Sequence, residues 1–407
     1  VKILVINTGS SSLKFRLFDM RGLVRLAFGL VERIGETLGR ALLRYRLAAD
    51  TRERSVERSG SITDHGRAME EMLSLLAEAG LLTHAGELAG IGHRVVHGGE
   101  VFQEPVLIDA HVLEAIADLA VLAPLHNPVN LVGIRAAMAQ APEVPQVAVF
   151  DTAFHQTLPE HAYLYGLPHR LYEEHRVRRY GFHGTSHGFV SRQAAGFLGR
   201  PYDSLNAITL HLGNGASGAA IRGGRCVDTS MGMTPLEGLL MGTRSGDLDP
   251  AILLYLAREA GMDSDELDDL LNRQSGLRGI CGDNDMRTVI GRAEQGDGRA
   301  ALALRIFCYR LKKYIGAYSA VLGRVDCLAF TGGIGENAPL VREMACRDLE
   351  NLGFILDRER NLRGRKGIRA IHDDASPVPI LVVPTNEELE IARQVVKVIT
   401  PSEVQRS

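Results

Sequence analysis

Residues 208–217, ITLHLGNGAS, and residues 1–12, VKILVINTGSSS, share one pattern. Each is an apolar, β-branched run that stops abruptly in small residues. The stops are Gly213-Asn214-Gly215-Ala216-Ser217 in one case and Asn7-Thr8-Gly9-Ser10-Ser11-Ser12 in the other. Small residues let backbone N–H groups approach an anion closely. Two such strand-to-glycine turns, one in each half of the chain, suggest two related phosphate-holding domains facing each other, which is the outline of a phosphotransferase.

The spacing Gly213-x-Gly215-x-x-Gly218 also fits the glycine fingerprint of dinucleotide-binding folds. That fingerprint needs a helix opening at the glycines and an acidic residue about 20 positions later. Here the chain runs on as Gly218-Ala219-Ala220-Ile221-Arg222-Gly223-Gly224-Arg225-Cys226-Val227-Asp228. Two short runs around Gly-Gly make a hairpin, not a helix. After the N-terminal turn, Leu13-Lys14-Phe15-Arg16-Leu17-Phe18 alternates apolar and basic, as a half-exposed strand does. Both glycine turns are therefore expected to join antiparallel strands, and the Rossmann reading is disfavoured.

The chain has 407 residues, enough for two or more domains with full cores. Its net charge of −3 gives no basic excess for nucleic acid or an anionic membrane. The densest basic region, residues 33–58, is interleaved with Glu36, Asp50, Glu53 and Glu57 and reads as a solvated hairpin face. There is no Trp, which argues against base-stacking platforms. Five cysteines (Cys226, Cys281, Cys308, Cys327, Cys346) lie far apart, so neither a disulfide framework nor a zinc site is expected. No apolar run approaches the ~18 residues of a membrane span. The opening residues lack the pattern of a signal peptide, and a cytoplasmic enzyme is the simplest class.

Residues 1–18 read as two strands and 21–58 as further strands with a loop. Helical spacing follows at 64–78, where Met69, Met72, Leu73 and Leu76 share a face. Strands are expected at 91–96 and 144–150, and helices at 112–122 and 188–198. After the central hairpin come helices at 253–261 and 265–272, the latter capped by Ser264. A long apolar helix at 299–322 suits a core or a subunit interface. A strand at 327–330 leads into the turn Thr331-Gly332-Gly333-Ile334-Gly335, then a helix from near Pro339, where proline is tolerated in the first turn. A strand at 378–383 and a helix at 387–398 end the chain. Strands first, then alternating helix and strand, occur twice, with a boundary near residue 151. The last helix could pack on either half.

Polar residues gather where strands end. Arg94 and Asp151 follow two strands. His183 lies in Arg178-Arg179-Tyr180-Gly181-Phe182-His183-Gly184-Thr185-Ser186-His187, and Arg244 in Met241-Gly242-Thr243-Arg244-Ser245-Gly246-Asp247. Strand ends are the usual place for α/β active sites. Singly, each has a plain structural explanation: surface ion pairs for the arginines, a turn cap for Asp151, a hydrogen-bonded core position for His183. As a set they are what phosphoryl transfer needs, because its transition state spreads charge over three oxygens. There is no GxxxxGK[ST], no HRD…DFG set, no HExxH and no GxSxG. A hairpin-turn, actin-like manner of holding ATP remains.

The segments VINTGSSSLKF (5–15), GHRVVHGG (92–99), LAPLHNP (122–128), FDTAFHQTLP (150–159), RRYGFHGTSH (178–187), HLGNGAS (211–217), VDTSMGMTPLEGLLMGTRSGDLDP (227–250), GIGEN (333–337) and PTNEELEIA (384–392) resemble the acetokinase family in order along nearly the whole chain. The resemblance implies an α/β fold of two ribonuclease H-like domains, of the acetate and sugar kinase/Hsp70/actin superfamily. The domains would be 1–150 plus 386–407, and 151–385. It implies a homodimer and reversible in-line transfer between ATP/ADP and a short carboxylate, acetate giving acetyl phosphate, with Mg²⁺ (or Mn²⁺).

By the same resemblance, Asn7 and Glu387 would hold the metal. Lys14, His211, Leu212, Gly213, Asn214 and Gly215 would contact the nucleotide phosphates. Asp285, Met286 and Arg287, with Gly333, Ile334, Gly335, Glu336 and Asn337, would border the adenosine. Arg94 would bind the acyl carboxylate. His183 and Arg244 would stabilise the moving phosphoryl group, and Asp151 would orient groups around it. Val96, Leu125, Phe182 and Pro235 would form the methyl pocket. Where the family usually has alanine and an aromatic residue, this chain has Gly332 and Met233.

Two rivals remain at this stage. One is the same chemistry on propionate; Val96 is bulky enough to favour acetate, though one methylene is worth only about 1–3 kcal/mol. The other is a non-catalytic, actin-like nucleotide switch, which would need nucleotide contacts but no carboxylate clamp such as Arg94.

Overall fold

Lys2–Gly9 (β1) and Ser12–Asp19 (β2) pair antiparallel, with Gly9 opposite Ser12 across a tight turn. Val24–Glu32 (β3), Gly39–Tyr45 (β4) and Arg54–Gly60 (β5) continue the meander, and Leu88–Val95 (β6) returns parallel to β1. Val106–Leu107 (β7) is a short edge strand on Gln146–Phe150 (β8), which lies parallel to β6. The sheet order is β5-β4-β3-β2-β1-β6-β8-β7. The structure is a computed structural model and describes residues 1–47, 52–364 and 366–400. On β4 and β5, Arg40 pairs with exposed Glu57 at 2.7 Å and with Glu32 at 3.4 Å, the solvated charged face expected there. Asp50 of that segment lies outside the described residues.

Central strand β1 is apolar on both faces. Leu4 and Ile6 enter one core with Phe15, Leu43 and the buried face of the helix His65–Glu78. Ile3 and Val5 enter another with Val147, Val149, Ile391 and Val395. Continuous rather than alternating hydrophobicity is what a parallel strand covered on both sides requires. The second cover is the helix Glu387–Ile399, so the chain's last helix packs on its first strand. This close approach depends on β6. A Cβ on Gly92 would lie 2.7 Å from Cγ2 of both Ile391 and Val395, and one on Gly90 would lie 2.9 Å from Val395 Cγ1.

Contacts divide the chain into two compact units, Val1–Ala153 with the segment from Asn386, and Phe154–Thr385. In the second unit, Ala207–Leu212 (β9), Ala216–Arg222 (β10) and Arg225–Thr229 (β11) form an antiparallel meander. Gly223 and Gly224 turn between β10 and β11 at φ +55° and +73°, as a type I′ hairpin needs. Cys327–Thr331 (β12) is parallel to β9, Arg369–Ala370 (β13) sits at the edge, and Ile380–Val382 (β14) is parallel to β12. The order is β11-β10-β9-β12-β14-β13. Leaving out edge additions, β3-β2-β1-β6-β8 and β11-β10-β9-β12-β14 have the same arrangement. Each is a three-strand meander followed by two strands parallel to its first, the ribonuclease H-like order. Both glycine turns do join antiparallel strands.

Some expectations need correction. The helix expected at 188–198 is Gly184–Phe197, so His187 is helical. The cap of the acidic helix is Asp263, not Ser264. Asp263 Oδ1 accepts from the N–H groups of Asp265 and Glu266, and Glu266 returns a bond to the Asp263 N–H. The 332–337 segment is not an open turn but a short helix, Gly332–Asn337, directly before Pro339–Cys346. The helix Asn127–Gln140 was not expected at all.

Gly92→Ala should destabilise the chain by about 1–3 kcal/mol, because the clashing methyls belong to stiff β-branched side chains that cannot swing away. Urea unfolding checks this; an unchanged midpoint would show that the helix Glu387–Ile399 can back off freely.

Candidate active site

In the first unit, β6 and β8 are parallel neighbours, with Val95 opposite Phe150, and the Asp151 N–H donates to Val95 O at 3.0 Å. Residues at their carboxyl ends are thus forced side by side. Arg94 donates Nε to both Asp151 oxygens, at 3.0 and 3.1 Å, and Nη2 to Oδ2 at 2.6 Å. Asp151 is buried, whereas the Arg94 side chain keeps 25% of its surface exposed. The Asp151 charge raises the Arg94 pKa further above its ordinary value. Among the described residues, Arg94 Nη1 has no protein hydrogen bond. The pair therefore presents a fixed guanidinium edge, suited to a carboxylate. Beside it, the Val96 N–H donates to Asn130 Oδ1 at 3.1 Å, and Leu125 lies exposed before the helix Asn127–Gln140.

Asn7 and Lys14 face each other across the β1–β2 hairpin and line a cleft of about 340 Å³ with Arg16, Arg44 and Glu388. Glu388 pairs with Arg16 at 3.0 Å. Its neighbour Glu387 begins the C-terminal helix, and there the Glu387 Oε1 atom is enclosed with no hydrogen-bond partner. Burial pushes the Glu387 carboxyl up from 4.5 to about 7, with Asp151 and Glu388 adding to the shift and Arg94 and Arg16 opposing it. A buried carboxylate oxygen without a protein partner fits a cation ligand. No cluster of three or more His, Cys, Asp or Glu that could hold a metal occurs among the described residues. The remaining ligands would be water and phosphate oxygens, which suits Mg²⁺, and Mn²⁺ takes the same donors.

In the second unit the β9–β10 turn forms a tight cradle held by hydrogen bonds to neighbouring segments. The Gly213 N–H donates to Gly215 O at 2.9 Å, the Gly242 N–H donates to Asn214 O at 2.9 Å, and Asn284 Nδ2 donates to Asn214 Oδ1 at 3.0 Å. A Cβ on Gly215 would lie 2.8 Å from Arg244 Nη2 and 3.4 and 3.5 Å from His183 Cε1 and Nε2. Arg244 and His183 therefore converge on this glycine. Arg244 Nη1 donates to Pro235 O at 2.6 Å, and Arg244 has no acidic partner among the described residues. Burial lowers its pKa. A buried guanidinium without a counter-charge is costly and is answered by an anionic ligand. His183 is held at φ +57°, an uncommon conformation for a residue with a side chain, and stacks on His211 with ring centroids 4.4 Å apart. Phe182, just before it, is buried.

Further along the same turn, a cavity of about 920 Å³ is lined by Gly213, Asn214, Asp285, Met286, Arg287, Gly333, Ile334 and Asn337, among others. Asp285 caps the helix Met286–Glu294 and pairs with Arg287, which holds its carboxyl down at about 2. Not every expected nucleotide contact lines this space. Leu212 and Gly335 are buried and are not among its lining residues. Glu336 turns inward, where Oε1 accepts from the N–H groups of Gly332 at 3.1 Å and Thr385 at 3.2 Å. His211 Nδ1 is bonded to Ser186 Oγ at 2.7 Å. Several supporting residues had not been singled out. Arg342 is buried and donates to Gly335 O at 2.8 Å, Glu336 O at 3.1 Å and Asn361 Oδ1 at 2.7 Å, pinning the Gly332–Asn337 helix from behind. Arg179 gathers the carbonyls of Thr229, Ser230 and Met231.

Two outcomes follow from this geometry. Gly215→Ala places a methyl in the cradle, so transferase kcat should fall by ~10²–10³-fold, the usual effect of removing a transition-state donor. The thermal midpoint should barely move; unchanged kcat would mean that no anion sits there. Glu387→Gln tests the orphaned carboxylate. Its folded pKa lies above the unfolded value, so the stability its proton contributes is complete below 4.5 and is lost as pH rises to about 7. Without metal or nucleotide, the Tm of Glu387→Gln relative to the native chain should be higher at about pH 8 than at about pH 4. An equal Tm difference at both would refute the shift.

The acetokinase family model matches residues 2–393. The chain is 56% identical over 403 residues to an acetate kinase of Streptomyces coelicolor, covering 98% of each protein. It is 53% identical over 400 residues to one of Syntrophobacter fumaroxidans, covering 98% of this chain and 97% of that protein. The crystal structure of Porphyromonas gingivalis acetate kinase superposes with a TM-score of 0.92 at 43% identity, covering 98% of this chain and all of that one. A propionate kinase from Francisella tularensis superposes at 0.91 and 42% identity, covering 98% and 99%. The fold is that of the acetate and sugar kinase/Hsp70/actin superfamily. With a whole-length match and the duplicated sheet order in agreement, the chain belongs to the acetokinase family.

Proposed function

We propose that this chain transfers a phosphoryl group reversibly between ATP and acetate, giving ADP and acetyl phosphate. The observation that carries this reading is the convergence of Arg244 and His183 on Gly215, beside a nucleoside-sized cavity. In the forward direction an acetate oxygen attacks the γ-phosphorus, and the bond to the β–γ bridging oxygen breaks in line. Arg244 and His183 hold equatorial oxygens as charge spreads over them. The glycine turn supplies N–H groups to the phosphates, and the adenosine occupies the cavity around Met286 and Ile334. Lys14 adds charge at the phosphates.

Arg94 binds the acetate carboxylate through the edge that Asp151 leaves uncovered. Asp151 acts here as the group that fixes Arg94. Asn7 and Glu387 would hold Mg²⁺, which when bound neutralises phosphate charge. Val96, Leu125, Phe182 and Pro235 are the candidates for the methyl pocket. Val96 favours acetate, but one methylene is worth only about 1–3 kcal/mol, so measurable propionate turnover is expected.

A homodimer is part of the proposal. The helix Ala251–Glu259 buries none of its residues within the chain and exposes Ile252, Leu254 and Tyr255. Leu302 and Tyr309 are exposed on the helix Gly298–Leu322. Exposed apolar groups of this kind mark association surfaces, and a second copy is the expected cover. A cytoplasmic location is supported by five free, buried cysteines, which suit a reducing compartment.

Trapping acyl phosphate with hydroxylamine, across acetate, propionate and butyrate, tests the reaction. Arg94→Ala and Arg244→Ala should each lower kcat by ~10²–10³-fold while the chain stays folded. Near-native turnover in either variant would sink the assignment of that arginine. Nucleotide binding with no acyl phosphate from any acid would favour the non-catalytic switch.

A further inference from the structure

We propose that Ser217, backed by His187 and Thr209, is a positioning residue that keeps the proton of neutral His183 on Nε2, the edge facing Gly215 and Arg244. The proposal deepens the reading of His183 as a phosphoryl-group donor and rests on it for its functional meaning.

His183 precedes the helix Gly184–Phe197, and His187 follows one turn later, its N–H donating to His183 O at 2.9 Å. The two imidazoles therefore share a face. Ser217 comes to them from β10 and is fully buried. Its Oγ lies 2.8 Å from His183 Nδ1 and 2.8 Å from His187 Nε2. Behind it, His187 Nδ1 lies 2.7 Å from Thr209 Oγ1 on β9. Thr209 and His187 are also fully buried.

Counting hydrogens along this line gives it a direction. A hydroxyl has one hydrogen to give, and a neutral imidazole has one donor and one acceptor nitrogen. Burial holds the His187 pKa well below 6.5, so His187 is neutral. Among the described residues, the Thr209 hydroxyl has His187 Nδ1 as its side-chain partner. A buried hydroxyl hydrogen without an acceptor is costly, so Thr209 donates to His187 Nδ1. His187 must then carry its proton on Nε2 and donate to Ser217 Oγ. Ser217 has its own hydrogen left, and it goes to His183 Nδ1. With Nδ1 accepting, neutral His183 keeps its proton on Nε2. The reverse direction would strand the Thr209 hydrogen. Both imidazoles donating into Ser217 would leave the Ser217 hydrogen without an acceptor.

The consequence lies at the cradle. An Nε2–H donates to a phosphoryl oxygen, whereas a proton on Nδ1 would turn a lone pair toward the anion. Stacking on His211, itself tied to Ser186, fixes the ring plane, and the hydroxyl relay decides which tautomer occupies it.

The test is ¹⁵N NMR of the histidine-labelled native chain, at a pH where the imidazoles are neutral, with the His183 signals identified by their loss in His183→Gln. The expected spectrum has a protonated Nε2 and an unprotonated Nδ1. Ser217→Ala should shift His183 toward the Nδ1–H tautomer and lower kcat by about 10²-fold. KM for ATP and acetate should stay within about two-fold, since a transition-state contact is lost rather than ground-state binding. Ser217→Thr, which keeps the hydroxyl, should restore the tautomer. A protonated Nδ1 in the native chain overturns the proposal whatever the variants do, and so does Ser217→Ala keeping both tautomer and kcat. Should Ser217→Ala fail to fold, the native spectrum decides alone. Unchanged kcat in His183→Gln with the expected native spectrum would overturn the catalytic reading of His183 and not the relay.

Discussion

Parallel strands that are hydrogen-bonded neighbours end at one edge, and this places residues at and just past their carboxyl ends next to each other. In the first unit this constraint delivers Arg94 beside Asp151, two residues 57 positions apart in sequence. In the second it sets the end of β9, with His211 and the glycine turn, beside the end of β12, with Thr331 and the helix Gly332–Asn337. Each sheet has a hairpin on one side of its first strand and parallel neighbours on the other. The hairpin turn and the parallel strand ends therefore meet on one rim, and that rim carries the polar groups.

Burial gives the rim its chemistry. Among the described residues, Arg244 donates to the Pro235 carbonyl and has no acidic partner, and Glu387 has an enclosed oxygen with no hydrogen-bond partner. Such groups cost stability in the unliganded chain and are best explained as halves of interactions that substrate completes. Arg342 is a useful contrast. It too is a buried arginine, and burial brings its pKa down to about 10, but its N–H groups are consumed by Gly335, Glu336 and Asn361. That guanidinium is structural: it binds the carbonyl end of the short helix beside the nucleotide cavity.

Much of this was legible in the sequence. The two strand-to-glycine turns, the alternating β2, the Gly223-Gly224 hairpin and the first-turn proline at Pro339 follow from local backbone preferences and from side-chain period, which any short window of sequence contains. What was missed has a physical reason. The helix Asn127–Gln140 buries Asn127, Asn130 and Gly133 on its inner face, and Asn127 hydrogen-bonds the N–H and C=O of His97. The inward amides and glycine interrupt the buried apolar set Leu131, Ile134 and Ala137, leaving a stripe too short to stand out in the sequence. Gly133 belongs there because a Cβ would lie 2.0 Å from Thr8 Oγ1, a contact 125 positions away. The Asp263 cap was displaced by one residue because Ser264 is an equally good cap in isolation.

The sequence by itself determined the duplicated strand order, the positions of the anion-holding turns and, through its long motifs, the family and the set of candidate residues. These are local patterns, carried by residues next to one another. Only the tertiary structure decided that the last helix covers the first strand, that Gly215 lies between Arg244 and His183, and that Thr209, His187 and Ser217 form one line behind His183. Those are matters of distance between groups far apart in the chain. They are set by which backbones can approach closely enough to pack and by which buried donors find an acceptor, and neither condition is written in any single stretch of residues.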